Sequence, residues 1–196
     1  MTQLDQVLTH IDSHLDAALE RLFTIIRIKS ISTDPAYAQE CRKNAEWHVA
    51  DLVSMGFTAT AHATPGHPIV VAHDRAATGP SALFYGHYDV QPVDPLALWE
   101  RDPFEPSIQT RADGSKMITG RGAADDKGQL MAFIEACRAW KAVTGKLPIP
   151  VTILLEGEEE SGGASLPPFL QSHADELRAD IGLICDTNMS VSYTHL

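Results

Sequence analysis

A histidine and an aspartate directly follow a short apolar run near the middle of the sequence. The run ends at Gly86, and His87 and Asp89 come next. An apolar run bounded by turn residues is typical of a buried strand, and side chains two positions apart on extended backbone point the same way. A histidine that binds a metal through one ring nitrogen usually donates the other to a carboxylate or a carbonyl. This pair therefore suits a metal site at the mouth of a sheet, although a solvated turn has the same residue types.

Acidic residues stand at three further points where predicted elements meet loops. Asp125 lies in a glycine-rich turn that opens onto a predicted helix, whereas the run 156–160 and Asp186 each follow an apolar run. In open α/β sheets, ligands bind beyond the carboxyl ends of the strands. We therefore expect these acidic residues to meet His87 at one edge of a sheet.

Carboxylates gathered in this way repel one another. Two of them about 5 Å apart repel by roughly 3 kcal/mol at an effective dielectric constant near 20. Arg121 and Lys127 are the cations close by in sequence, and bound dications would supply the remaining compensation. Histidine and carboxylate ligands without cysteine suit zinc, or a harder ion such as manganese or cobalt. Taken singly, however, each acidic motif is also typical of a solvated loop, a helix N-cap or a plain strand end.

The periodicity of apolar residues predicts the elements that position these groups. Helical spacing predicts one amphipathic helix over residues 4–26, a second over about 36–55 and a third after Gly128. Short apolar runs predict strands at 57–64, 69–72, 82–87, 151–155 and 181–185, and the last three of these are expected to be buried. Alternating helices and short strands predict an α/β fold, a three-layer sandwich of helices around a mostly parallel mixed sheet.

Composition excludes several classes of function. The chain has 196 residues, 44% of them hydrophobic, a length that suits one domain or part of a larger one. Its formal charge of −11 argues against nucleic acid or membrane surfaces as partners. Its three cysteines form no CxxC pair, and its N-terminus lacks the pattern of a signal peptide. We therefore expect reduced thiols and a cytoplasmic location.

Four motifs in a fixed order resemble those of the M20 metallopeptidases. They are the segments 86–92, 120–128 and 156–163, together with Asp186. The wording His-Tyr-Asp-Val-Gln-Pro is most similar to the dipeptidase branch, which includes carnosinases and cytosolic non-specific dipeptidase. The resemblance implies a partial zinc-peptidase-like catalytic domain that hydrolyses the amide bond of a dipeptide or acyl-amino substrate with metal-activated water.

The resemblance also implies roles for individual residues. Glu159 matches the general base, and Asp89 matches the carboxylate that orients a histidine ligand. Asp125 matches the aspartate that bridges the two metal ions in the family. Family members have a cis peptide after that aspartate, here between Asp125 and Asp126. Ligation of two divalent ions, zinc with manganese or cobalt as alternatives, is implied for four residues: His87, Asp125, Glu160 and Asp186.

The sequence departs from the family in its extent. Family chains continue into a lid domain, which usually carries the homodimer contact, and then return to supply another histidine ligand. We therefore expect residues 1–189 to form the N-terminal part of the catalytic domain, without the lid and with little activity alone. Residues 190–196 are expected to be an atypical tail, and His195 is not taken for the missing ligand.

Two other functions remain open from the sequence. One is an N-acyl amino acid deacylase or desuccinylase of the same family. The other is a non-catalytic metal-binding or interaction module, in which Glu159 would be dispensable.

Overall fold

A computed structural model of the protein describes residues 2–187. The predicted tail at 190–196 lies outside these residues. Three short 3₁₀ turns, at Pro35–Tyr37, Leu96–Leu98 and Glu159–Ser161, accompany the helices and strands. In chain order the longer elements are α1 (Gln3–Ser13), α2 (Leu15–Arg27), α3 (Ala38–Ser54), β1 (Thr58–His62), β2 (Ile69–Asp74), β3 (Ala82–His87), β4 (Ser107–Thr110), β5 (Lys116–Thr119), α4 (Lys127–Thr144), β6 (Val151–Glu156), α5 (Leu166–Ser172) and β7 (Ile181–Ile184).

Five strands form one twisted sheet in the order β1-β2-β6-β3-β7. The pairs β6–β3 and β3–β7 are parallel, whereas β1–β2 and β2–β6 are antiparallel. Four strands therefore run in the same direction and only β2 runs against them, which confirms the predicted mostly parallel mixed sheet. The hairpin β4–β5 forms a separate two-stranded sheet around its Asp-Gly turn.

Helices cover both faces of the large sheet. On one face, α2, α3 and α4 contribute Ile25, Leu52 and Ile134 to a buried core that includes Phe84 and Ile153 of the central strands. On the other face, Phe169 of α5 packs on a smaller cluster. Every residue of β6 is buried, since this strand lies in the middle of the sheet. The predicted three-layer arrangement is confirmed.

The single N-terminal helix predicted over residues 4–26 is wrong, because the helix breaks at His14. The backbone of His14 leaves the helical region, with φ −119° and ψ 14°. Its ring Nδ1 lies 2.9 Å from the carbonyl oxygen of His10, and the Ser13 hydroxyl donates to the same oxygen at 3.0 Å. Side chains that bond nearby carbonyls in this way compete with the helical backbone.

The prediction that the strand at 181–185 is buried is also wrong. β7 is an edge strand paired with β3, and all four of its residues are exposed. Ile184 keeps 69% of its surface accessible to solvent. An apolar run indicates which side chains favour burial, but not whether a neighbouring element covers them.

The described part of the chain contains no helix whose length and hydropathy would let it cross a bilayer. The three cysteines are unpaired: Cys41 and Cys137 are buried, whereas Cys185 is partly exposed.

Candidate metal centre

His87 is the last residue of β3 and is completely buried. Its backbone N–H donates to Oδ2 of Asp126 at 3.0 Å. Its ring Nδ1 lies 3.2 Å from the carbonyl oxygen of Asp89 and 3.3 Å from that residue's Oδ1. The ring is therefore held through Nδ1, and Nε2 is the nitrogen that faces the end of the sheet.

Three carboxylates from separate elements surround Nε2 of His87. Oδ1 of Asp125, from the turn before α4, is 3.1 Å away. Oε2 of Glu159, from the turn after β6, and Oδ2 of Asp186, just after β7, are each 4.0 Å away. One ligand atom from each of His87, Glu159 and Asp186 lies within 4.8 Å of the others. The parallel strands β3, β6 and β7 thus deliver these groups to the same edge.

Glu160 lies at this edge too, but its contacts are with Asp89 and Gln91 rather than with His87. Its backbone N–H donates to Oδ2 of Asp89 at 3.0 Å, and its carboxylate accepts a hydrogen bond of 2.8 Å from Nε2 of Gln91. Of the two adjacent glutamates, Glu159 is therefore the one beside His87, while Glu160 faces Gln91. We call His87 and the carboxylates of Asp125, Glu159, Glu160 and Asp186 together the acidic edge.

The pKa shifts show how crowded this edge is. Burial lowers the pKa of His87, but hydrogen bonds with Asp125 and Asp89 outweigh it and raise the pKa to about 11. The bond to His87 lowers the pKa of Asp125. Burial raises the pKa of Glu159 and of Glu160, and neighbouring carboxylates raise both further. The imidazole is thus held by acidic neighbours, while the glutamates resist ionisation.

Arg121 is the arginine nearest to the acidic edge, but its contacts lie elsewhere. Its Nη2 donates to the carbonyl oxygen of Pro92 at 2.9 Å, and its guanidinium lies 5.3 Å from the ring centroid of Trp99. Among residues 2–187, no lysine or arginine forms an ion pair with a carboxylate of the acidic edge. Within these residues the imidazole of His87 is therefore the one basic group in direct contact with the carboxylates of this edge.

The donor set fits a divalent metal ion. It offers an imidazole nitrogen and several carboxylate oxygens, the ligands that zinc and harder dications accept. The ring nitrogen opposite Nε2 already has an oxygen partner in Asp89, as is usual for a metal-binding histidine. A dication would also relieve the repulsion among the carboxylates.

Two supporting residues were missed by the sequence analysis. Asp126 is buried and holds the backbone of His87, and Gln91 holds Glu160. Gly86 was the available signal for Asp126, because a Cβ there would lie 2.8 Å from Oδ2 of Asp126. A glycine inside a strand often marks such a close approach. Gln91 lies within the motif 86–92 but was assigned no role from the sequence. The Asp125–Asp126 peptide is cis, as the resemblance implied.

Comparisons with known proteins agree with this arrangement. A family model described as Peptidase family M20/M25/M40 matches residues 83–194. Beta-Ala-His dipeptidase of Homo sapiens is 29% identical over 195 residues, which cover 92% of this chain and 38% of that protein. Cys-Gly metallodipeptidase DUG1 of Saccharomyces cerevisiae is 28% identical over 198 residues, which cover 93% of this chain and 40% of that protein.

Solved structures give the same result. Human carnosine dipeptidase 1 superposes with a TM-score of 0.85 at 29% identity, covering 94% of this chain and 41% of that one. The dipeptidase Dug1p of Saccharomyces cerevisiae superposes with a TM-score of 0.84 at 28% identity, covering 95% of this chain and 42% of that one. The chain thus spans about two fifths of the length of the curated relatives it matches.

Proposed function

Because this chain belongs to peptidase family M20/M25/M40, we propose that it forms part of a metal-dependent dipeptidase. In this proposal residues 1–189 are the N-terminal part of the catalytic domain and 190–196 are an atypical tail. Since the chain spans about two fifths of its curated relatives, the activity is a property of the whole enzyme. We expect weak turnover from these 196 residues alone.

The observation that carries the proposal is the meeting of His87, Asp125, Glu159 and Asp186 at one edge of the sheet, where no lysine or arginine forms an ion pair with these carboxylates within residues 2–187. His87, Asp125, Glu160 and Asp186 would hold two divalent ions, zinc or alternatively manganese or cobalt. When bound, such ions lower the pKa of a water molecule and polarise the substrate carbonyl.

The chain's own residues would then position groups and move protons. Asp89 holds Nδ1 of His87 and so leaves Nε2 free to act as a ligand. Glu159 would take a proton from the attacking water and pass it to the leaving amine. The position of Glu159 supports this role, because its Oε2 lies 4.0 Å from Nε2 of His87, beside the proposed metal site.

The names of the relatives suggest the substrate class. One is called a Beta-Ala-His dipeptidase and another a Cys-Gly metallodipeptidase, so short peptides of two residues are the substrates to test first. β-Alanyl-histidine and cysteinyl-glycine serve as the peptide substrates. An N-acetyl amino acid serves as the probe for the alternative deacylase activity, and faster hydrolysis of that compound would favour the alternative.

Two adjacent glutamates provide a matched pair of variants. Zinc and manganese affinities of the chain, Glu159→Gln and Glu160→Gln would be measured by chelator competition and calorimetry, alongside hydrolysis. Because loss of a residue that only orients a metal ligand already costs about 10–100-fold in affinity, we expect Glu160→Gln to weaken metal affinity by at least about 10-fold. Glu159→Gln should change it by less than about 3-fold, because in this proposal Glu159 is not a ligand. Glu159→Gln should nevertheless remove the measurable hydrolysis.

Each outcome of that experiment has a distinct meaning. A parent chain that binds neither ion would overturn the proposed metal centre. Equal loss of affinity in both variants would make Glu159 a ligand rather than the base. Hydrolysis that survives Glu159→Gln would favour a non-catalytic role for this edge.

A further inference from the structure

Lys127 is a fully buried lysine that the proposed reaction does not use. It is the first residue of α4 and follows Asp125 by two positions. Its Nζ donates to the carbonyl oxygens of Ile25 at 2.8 Å and Ile28 at 2.9 Å. These carbonyls lie at the C-terminal end of α2, where the helix dipole favours a positive charge. The side chain thus links the Asp125 turn to the end of a different helix.

The segment just after α2 also holds the strand end that carries His87. We call residues 28–31 the connector. The hydroxyl of Ser30 donates to the carbonyl oxygen of Tyr88 at 2.7 Å, and the backbone N–H of Val90 donates to the carbonyl oxygen of Ser30 at 3.0 Å. Asn44 of α3 donates to both the Ser30 hydroxyl and the Tyr88 carbonyl. The residues on either side of His87 and Asp89 are therefore tied to the connector.

We propose that Lys127 is a positioning residue that, through the connector, fixes the distance between the Asp125 turn and the strand end bearing His87. Asp126 makes the second link, since it accepts the backbone N–H of His87. The two consecutive residues thus secure the turn from opposite sides. This inference rests on the proposed metal centre.

Tight packing and charge repulsion both support this positioning role of Lys127, which we call the brace. A Cβ at Gly122 would lie 3.2 Å from Cδ of Lys127 and 2.6 Å from Cγ1 of Val90, so the turn, the lysine stem and the strand end leave no free space. Meanwhile the side chain of Asp125 is 64% exposed and faces other carboxylates. Without an anchor, repulsion would move it outward and separate the ligands before an ion arrives.

Two lysines of α4 provide the test and its control. Lys141 lies on the same helix but pairs with Asp74, at the opposite end of the sheet. We expect Lys127→Met to weaken zinc and manganese affinity by about 10–100-fold, as is typical when a partner that orients metal ligands is lost. It should also change the visible spectrum of the cobalt-loaded chain. Lys141→Met should destabilise the fold but leave metal affinity and the cobalt spectrum unchanged.

The outcomes separate the brace from the proposed function. Unchanged affinity and spectrum in a folded Lys127→Met chain would overturn the brace while leaving the metal centre intact. A parent chain that binds no metal would remove both. If circular dichroism shows that Lys127→Met does not fold, the double variant Ser30→Ala with Asn44→Ala loosens the connector without stranding a charge. Unchanged metal affinity in that variant would then overturn the brace.

Discussion

Two groups of charged residues in this chain are assembled in opposite ways. Between α2, α3 and α4, Arg21 pairs with Glu135 at 2.6 Å, and Arg138 pairs with Asp51 at 2.6 Å and with Glu135 at 3.2 Å. We call these four residues the helix charge cluster. Its two positive and two negative charges alternate, so each charge has an opposite partner from the same chain.

The acidic edge lacks this balance. Three of its four carboxylates surround the imidazole of His87 and the fourth, that of Glu160, faces Gln91. Within residues 2–187 none of the four has a lysine or arginine ion-pair partner. Paired charges between helices satisfy one another when the chain folds. Carboxylates held close together without partners keep a repulsion that a cation from solution can relieve. The difference between the two groups therefore separates charges that serve the fold from charges that serve a ligand.

The largest expected effect comes from removing the imidazole of the acidic edge. We expect His87→Ala to weaken zinc affinity by more than about 100-fold, beyond the range typical of residues that only orient a ligand. The control is His73→Ala, because His73 pairs with Glu176 and lies outside the edge. Chelator competition would measure both variants. Comparable zinc affinity in His87→Ala and the parent would contradict the proposal that the acidic edge, unlike the helix charge cluster, binds a cation.

The next effect tests the helix charge cluster. Arg138→Met removes the partner of the largely buried Asp51, and we expect it to lower the free energy of unfolding by about 3 kcal/mol. Urea denaturation followed by circular dichroism would measure this loss. Metal affinity should stay at the parent value, since this cluster is already neutral. A marked change in zinc binding would contradict that separation.

Metal addition tests whether an ion bound at the acidic edge stabilises the folded chain. An ion that binds only the folded chain stabilises it by about 2.7 kcal/mol when its free concentration is 100 times the dissociation constant. We therefore expect zinc to raise the melting temperature of the parent and of Arg138→Met alike, and excess EDTA to reverse the rise. In His87→Ala the same addition should leave the melting temperature unchanged.

The smallest effect concerns the thiols. Burial raises the pKa of Cys41 and of Cys137 to about 12, so neither should react at neutral pH. Cys185 is partly exposed and precedes Asp186. A thiol-specific chromogenic reagent should therefore label one cysteine per native chain. Labelling of all three at one rate would contradict the described burial.

Much of this arrangement was predictable because local patterns carried it. The glycine-rich turn before α4 and the apolar runs ending in acidic residues placed Asp125 and Asp186 at loop positions, and the α/β alternation predicted the sheet that gathers them. The split at His14 was not predictable from periodicity, since the apolar stripe continues across it. The break depends on side chains of Ser13 and His14 that bond the carbonyl of His10.

The exposure of β7 was likewise decided by its neighbours rather than by its composition. The sequence by itself determined which residues have side chains able to bind a metal and which strands precede them, because residue type and period are properties of the chain. Only the tertiary structure decided that Glu159 rather than Glu160 lies beside His87, and that Lys127 and Ser30 converge on the segment after α2. Contacts between residues far apart in sequence depend on how the layers pack, and no local pattern encodes that packing.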